Sequence, residues 1–438
     1  MLLLYNILFP ILFVLYLPAF LSKLVKRGGA RRDFLERFGL FGKDKKRQLK
    51  QLDRPVWIHA VSVGEAVAAC TFIRQWHARD GELDFVLSTT TTTGHAIAEK
   101  KLPPNTTLIY SPLDFYPFVR RTLSVMHPRL VVIFEVEVWP NLVTLPSNRG
   151  IPVALVNARM SDKSARGYAK HSWIFGPIFR RFSLFCAQSQ EDADRIRRVV
   201  GNDVPVHTCN TMKFDQVPAP GDLADYAILD RVFGQSPRLV WVAASTHPGE
   251  EDMIAGMFEK LQGEIPELKL VLVPRHHERA AEVEGVLARH SVGFVKFTEI
   301  RNGQASSAPV NCLLVNTTGE LMKFMAMADF VYMGKTMAGN TGGHNIIEPA
   351  ILGKPIVHGP HMENFRIVTK AFNDASATWP VASPDELESA IRELCRNDLK
   401  RSDLGAAGQR VVEQCRGAIP KTLDLVNSLL KKGKNGGS

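Results

Sequence analysis

Five short stretches of this chain carry residue types that can move protons or bind anions, and three of them close an apolar run. In HAVSVGE (59–65), Ser62 and Gly64 allow a tight turn and Glu65 falls in the first turn of a helix. A carboxylate there can accept the proton of a substrate hydroxyl, or it can serve only as a favourable charge on the helix dipole. IFEVEVWPN (133–141) places Glu135 and Glu137 just past a second apolar run. In extended chain a spacing of two points them to opposite sides, so one of the pair is expected to face a ligand. Paired carboxylates also admit glycoside hydrolysis, which needs an acid and a base roughly 5–10 Å apart. NTMKFD (210–215) brings Lys213 to the edge of a connecting segment, and VLVPRHHER (271–279) puts Arg275 beyond a third run. An arginine fork there suits a phosphate or carboxylate. The fifth stretch, GGHNIIEP (342–349), follows the glycine-rich segment 334–343. It is expected to offer the free N–H groups of Gly342 and Gly343 to an anion, with Asn345 as a cap and Glu348 able to bind sugar hydroxyls.

Other matches are discounted on physical grounds. Gly334-Lys335-Thr336 imitates the end of a phosphate-binding loop, but Asp329 stands where that loop needs glycine. Asp192-Ala193-Asp194 imitates a metal-binding D-x-D, yet it lies in a polar helical run and reads as a solvated face. His276 and His277 are adjacent, and in a helix they diverge too far to share a metal. Six dispersed cysteines without C-x-x-C suit a reducing compartment and small buried side chains. No metal signature emerges.

The elements that must position these groups alternate between short apolar runs and helical patterns. Strands are expected at 55–61, 84–89, 129–134, 152–157 and 183–187, with a helix over Glu65–Arg79. A second series follows at 238–244, 268–273, 311–315, 329–333 and 355–357, with helices near 277–290, 319–328 and 384–432. Apolar strands separated by helices indicate parallel sheets covered on both faces. The reading is α/β: two Rossmann-like parallel-sheet domains with an interdomain cleft, preceded by a hydrophobic anchor helix. The boundaries are 1–22 anchor, 23–50 basic collar, 51–213 N-terminal domain, 214–237 linker, 238–400 C-terminal domain and 401–438 C-terminal helix and tail. In such sheets ligands sit beyond the carboxyl ends of strands. His59–Glu65, Thr89–Gly94, Glu135–Asn141, Ser245–Glu251 and Pro274–Arg279 all fall there.

Composition narrows the class. With 438 residues, 45% hydrophobic and 22% charged, the chain is long enough for two or three cored domains and too apolar for disorder. Its net charge of +10 is concentrated: residues 23–50 hold eleven Lys and Arg against three acids, a balance of +8. That collar follows Met1–Ser22, which carries no charged side chain and as a helix reaches about 33 Å, roughly a hydrocarbon thickness. Positive charge after the apolar stretch argues against a cleaved signal peptide and for an uncleaved anchor with the remaining chain cytoplasmic. Pro10, Pro18 and Asn6 weaken a plain straight span. Without interleaved aromatics the collar is not a nucleic-acid surface; it suits anionic headgroups.

Taken in order, HAVSVGE, E-V-E-V-W-P-N, VNARMSDKSARGY (156–168), AQSQEDADR (187–195), NTMKFD, STHPGEE (245–251), LVPRHHER, TGELM (318–322), GGHNIIEP and HGPHMENF (358–365) resemble the 3-deoxy-D-manno-octulosonate (Kdo) transferases. The resemblance runs from the apolar N-terminus to about residue 366 and implies a GT-B glycosyltransferase. It implies inverting, metal-independent transfer of Kdo from CMP-Kdo to a lipid A precursor of the lipid IVA type, at the cytoplasmic face of the inner membrane. No cofactor is implied beyond the donor. Glu65 corresponds to the general base, and Glu135 and Lys213 to groups that stabilise the transition state. Pro274, Arg275, Gly319, Glu320, Leu321, Asn345, Ile346, Ile347 and Glu348 correspond to CMP contacts. Departures fall at Cys209 for Gly, Pro248 for Glu, His277 for Pro and Ile346 for Pro. The alternatives are a GT-B enzyme using a UDP-sugar and a lipid acceptor, or a membrane-surface binding protein that has lost catalysis.

Overall fold

The computed structural model describes residues 2–11, 13, 15, 33–217, 221, 223–235, 238–304 and 310–435, with side chains to 431. The chain forms two units, one ending at Gln216 and resuming at Arg416, the other Val217–Cys415.

The first unit is built on a parallel sheet in the order β3-β2-β1-β4-β5-β6-β7. Its strands are β1 (Val56–Ala60), β2 (Phe85–Thr89), β3 (Thr106–Tyr110), β4 (Leu130–Phe134), β5 (Val153–Ala158), β6 (Leu184–Ala187) and β7 (Val206–Thr208). Every residue of β1, β2, β4, β5 and β6 is buried. Such strands read as continuous apolar runs because helices cover both sheet faces. On one face the helix Val63–Arg79 packs Phe72 and Trp76 against Phe134 and Phe85. The C-terminal helix Ala418–Asn435 joins that core through Ala418, Ile419, Leu423 and Val426. Asp215 ties this return: its carboxylate accepts the N–H groups of Gly417 (2.8 Å) and Ile419 (2.6 Å), satisfying donors at the start of that helix.

Residues 2–11 are helical and rest on this unit. The amides of Asn6 and Asn141 exchange hydrogen bonds of 3.0 Å, Asn6 Oδ1 also accepts from Tyr116 N (2.9 Å), and Phe9 stacks on Phe115. Leu3, Leu4, Ile7, Leu8, Ile11 and Leu15 remain exposed, at 44–76%. Among the described residues no helix is long and apolar enough to cross a membrane. The expected anchor lies partly outside the described residues, as does the collar before Asp33. The rest of the collar is not simply a charged belt. Glu36 is buried and accepts Tyr110 N (2.7 Å), Arg37 lies over the Tyr110 ring, and Lys45 Nζ donates to Leu108 O (2.7 Å).

The second unit repeats the plan with the order β10-β11-β9-β8-β12-β13-β14. The strands are β8 (Leu239–Thr246), β9 (Leu268–Pro274), β10 (Phe294–Lys296), β11 (Cys312–Leu314), β12 (Phe330–Met333), β13 (Ile356–His358) and β14 (Trp379–Pro380). The stretch 214–237 is not a bare connection: it contains the helix Tyr226–Phe233, with Ile228, Leu229 and Val232 buried. All strand pairs in both sheets are parallel. The order reverses between β1 and β4 in the first sheet and between β8 and β12 in the second. Those two switch points are where open α/β sheets bind ligands.

Candidate active site

The first switch point gathers the proposed catalytic groups. Glu65 follows β1 on the helix Val63–Arg79 and is buried at 5% exposure. Ser62 caps that helix by accepting Glu65 N (3.2 Å), and the Glu65 carboxylate accepts Val61 N (2.9 Å) and Ser62 N (3.3 Å). This capping box fixes the carboxylate's position. The two readings of Glu65 are therefore compatible: the cap that stabilises the helix also aims the carboxylate.

Glu135 follows β4 across the switch point. Its N–H still bonds to Val156 O (3.0 Å), while its φ of 60° turns the chain out of the strand. That left-handed residue removes the alternation expected of Glu135 and Glu137. Both carboxylates feel Glu65, which raises the affinity of each for a proton, though burial is the larger cause. Glu135 pairs with Arg159 (Nε to Oε2, 3.0 Å), and Arg159 and Lys213 both oppose the burial effect on it. Lys213 is itself held below the usual lysine range by burial, against the pull of Glu135. One locus thus holds three carboxylates and two cations.

Arg159 is the group the motif reading left without a role. It lies one residue past β5, so the strand-end rule was the signal that could have found it. Asn157, with φ 50°, sits at a register shift in β5 and accepts Met212 N (3.1 Å), which sets the turn before Lys213. Since Arg159 lowers the Glu135 proton affinity, Arg159→Met should move the acidic limb of the kcat/KM–pH profile to higher pH. A limb that stays in place would exclude Glu135 from it. His59, from the same motif as Glu65, is a core residue: it bonds Ser88 Oγ (3.0 Å), and burial pushes it down to about 4.

The second switch point is organised by Glu250, which is 0% exposed. Its Oε1 accepts from Tyr332 Oη (2.9 Å), Thr336 N (2.9 Å) and Met337 N (3.1 Å). Its Oε2 accepts from His247 N (3.0 Å) and Lys335 N (2.7 Å). One carboxylate thereby fastens the loop after β12 to the turn after β8. Gly334 is required at this approach, because a Cβ there would lie 2.6 Å from Ser245 O.

Around that frame stand His247, Arg275, His276, Lys335 and His344. The Nε2 atoms of His247 and His344 are 3.1 Å apart, and the His276 ring meets His247 edge-on at 5.8 Å. Arg275 follows β9, its N–H bonded to Thr246 O (3.0 Å), directly after Pro274. Asn345 Nδ2 donates to Glu348 (3.1 Å) while its Oδ1 accepts Ile347 N (3.2 Å), as a cap does. Burial raises the Glu348 proton affinity, and Asn345 and Arg275 oppose it. Gly319, Glu320 and Leu321 lie beyond β11, the strand beside β9, where Leu321 begins the helix Leu321–Ala326. Ile346 and Ile347 are 0% exposed, so only their main chain is available to a ligand.

Two expectations need correction. The N–H groups of Gly342 and Gly343 are not free for an anion: Gly342 donates to Glu363 Oε2 (2.6 Å) and Gly343 to Lys335 O (3.0 Å). Nor is Asp192 a solvated residue. It is buried at 4% and accepts Met160 N (2.8 Å) and the Ser189 hydroxyl (2.7 Å), while Asp194 pairs with Arg197 (2.8 Å). Among the described residues no group of three or more His, Cys, Asp or Glu side chains could hold a metal ion. All six cysteines are unpaired, five of them buried.

Two α/β units, each with a parallel seven-stranded sheet and its polar groups at the switch point, define the GT-B-like class of fold. A glycosyltransferase from Rickettsia africae shares the fold (TM-score 0.57, 11% identity, 86% of this chain and 99% of that one). The family model described as 3-deoxy-D-manno-octulosonic-acid transferase (kdotransferase) matches residues 32–216. The 3-deoxy-D-manno-octulosonic acid transferase of Bordetella pertussis is 30% identical, covering 89% of this chain and 91% of its own. That of Haemophilus influenzae is 29% identical over 93% and 94%. The chain belongs to the Kdo transferase family.

Proposed function

We propose that this Kdo transferase uses CMP-Kdo as donor and a lipid A precursor of the lipid IVA type as acceptor, inverting the donor's anomeric centre without a metal. The observation that carries the reading is the meeting of Glu65, Glu135, Arg159 and Lys213 at the first switch point. Glu65 takes the proton of the acceptor hydroxyl as that oxygen attacks the anomeric carbon, and the bond to the CMP phosphate breaks on the opposite side. Glu135 faces the positive charge that develops on the sugar. Lys213, with Arg159, opposes protonation of Glu135 and balances the negative charge of the site. In the second unit Arg275 is placed for a phosphate, and Glu348 for ribose hydroxyls.

The test is mass spectrometry of the product formed from CMP-Kdo and a tetra-acylated lipid A precursor. It should show added Kdo, with activity unchanged by a chelator. Protection from thermal unfolding by UDP but not CMP would overturn the donor reading in favour of a UDP-sugar. Chelator-sensitive transfer would overturn the metal-free step.

The same reading puts the enzyme at the cytoplasmic face of the inner membrane, with the N-terminal segment lying in the interface. Its support is the helical segment 2–11, which turns Asn6 towards Asn141 and leaves Leu3, Leu4, Ile7, Leu8 and Ile11 exposed. A triple variant Leu4→Glu, Ile7→Glu, Ile11→Glu should lose sedimentation with anionic vesicles while CMP binding is unchanged. Undiminished sedimentation would remove this row from the membrane contact.

A further inference from the structure

The histidine pair of the second unit has no role in the reading above, and its geometry is specific. Two Nε2 atoms 3.1 Å apart share one proton: one ring donates Nε2–H and the other accepts. In the neutral pair the accepting ring carries its own proton on Nδ1, and the donating ring has a bare Nδ1. One further proton on that bare Nδ1 leaves the shared bond intact. It makes one ring an imidazolium and gives the pair an N–H on each outer edge. A neutral pair therefore offers one outward donor, and a protonated pair offers two and a positive charge.

The surroundings decide which form exists. Burial pushes His247 down to about 4 and His344 to about 3. The charged groups acting on the pair are cationic: Lys335, Arg275 and His276 on both rings, and Arg279 on His247 as well. The carboxylates of the adjoining elements are engaged elsewhere. Glu250 accepts main-chain N–H groups, Glu251 binds Arg279, Glu348 binds Asn345, and Glu363 binds Gly342 N and His361. The pair therefore rests neutral in a basin of cations, and an anion entering that basin supplies the missing countercharge.

We propose that His247 and His344 bind the phosphodiester of the donor nucleotide and take up one proton from solvent as it binds. The proposal rests on the donor reading given above. When the bond from sugar to phosphate breaks, the phosphate gains a negative charge, and the protonated pair supplies a positive charge and a second N–H donor to offset it. Because the bound state holds more protons than the free state, affinity is highest at low pH and falls as pH rises through the bound-state value.

Isothermal titration of the full-length protein with cytidine 5′-methylphosphate tests this. That probe is a diester with no phosphate titration near neutrality, and uncharged cytidine is the control. In two buffers of different ionisation enthalpy at pH 6.5, the diester should bind with net proton uptake. Its affinity should fall between pH 6 and 8 by at most about tenfold per unit. His247→Gln and His344→Gln, made separately, should each abolish uptake and pH dependence while cytidine binding, which reports an intact fold, persists. Diester binding without uptake, or uptake that survives in both variants, overturns the proposal alone. If neither diester nor cytidine binds the wild-type protein, the donor reading falls and this proposal with it.

Discussion

Replacing Glu65 with Gln is expected to lower kcat by about 10²–10⁴-fold, the range associated with losing a positioned general base. Gln is the informative substitution because the proposed base is also a structural group. Its carboxylate closes the capping box by accepting Val61 N and Ser62 N. A glutamine at this helix position is the usual alternative to glutamate in that motif. Its amide oxygen can keep the shorter bond to Val61, so the stability cost should stay below about 1 kcal/mol. Ala would remove base and cap together and leave the cause of inactivity ambiguous. The measurement is single-turnover transfer on a variant whose melting curve and CMP affinity match the wild type. Transfer within a few-fold of wild type under those conditions would assign Glu65 to the cap alone. A loss of kcat with normal CMP affinity would separate proton transfer from donor binding, since the two lie in different units.

Glu250 should give the largest loss of stability. It is fully buried and uses both oxygens, accepting four main-chain N–H groups and the Tyr332 hydroxyl. Truncation to Ala strands these donors away from water, and stranded buried donors cost about 1–3 kcal/mol each when unrelieved. Partial relaxation and water entry reduce the sum, and about 3–5 kcal/mol is expected for breaking one buried charged network. Gln should be only slightly better, because its NH₂ would face N–H groups at one of the two oxygen positions. This contrasts with Glu65, where two bonds rather than five are at stake. Urea unfolding of the full chain should acquire an early transition in both variants, and donor binding should weaken because Lys335 and His247 lose their fixed backbone. An unchanged unfolding midpoint for Glu250→Ala would mean that the loop after β12 is held by other contacts.

The sequence reading located ten of the fourteen strands, and the four it missed are instructive. β3, β7, β10 and β14 are the four sheet edges. Central strands are buried on both faces and so leave a continuous apolar run that is visible without any neighbour. β7, β10 and β14 are short and partly exposed, as in His207 or Pro380, and their extended state depends on pairing with the strand beside them; β3 is as long as β1 and mostly buried, but opens on two threonines rather than an apolar run. The same distinction holds at the site. Glu65 and Arg275 were legible because their motifs directly follow apolar strands, where α/β sheets place their ligands, and Glu348 because its motif follows a glycine-rich stretch. Arg159 also directly follows an apolar strand, but its role was not legible, since its pairing with Glu135 depends on β5 lying beside β4 and on the left-handed turn at Glu135. Likewise four of the five bonds of Glu250 join it to residues more than eighty positions away, and no local pattern announces them.

By itself, then, the amino-acid sequence determined the α/β class, the ordered motifs of the Kdo transferase family and the apolar N-terminus followed by positive charge. These are local properties: periodicity, residue type and spacing along the chain. Only the tertiary structure decided which N–H groups of the glycine-rich loop were already bonded and which carboxylates shared one electrostatic locus. It also brought two histidines 97 residues apart within 3.1 Å. Hydrogen bonds and burial are relations between distant segments, and they exist only once parallel strands have set those segments side by side.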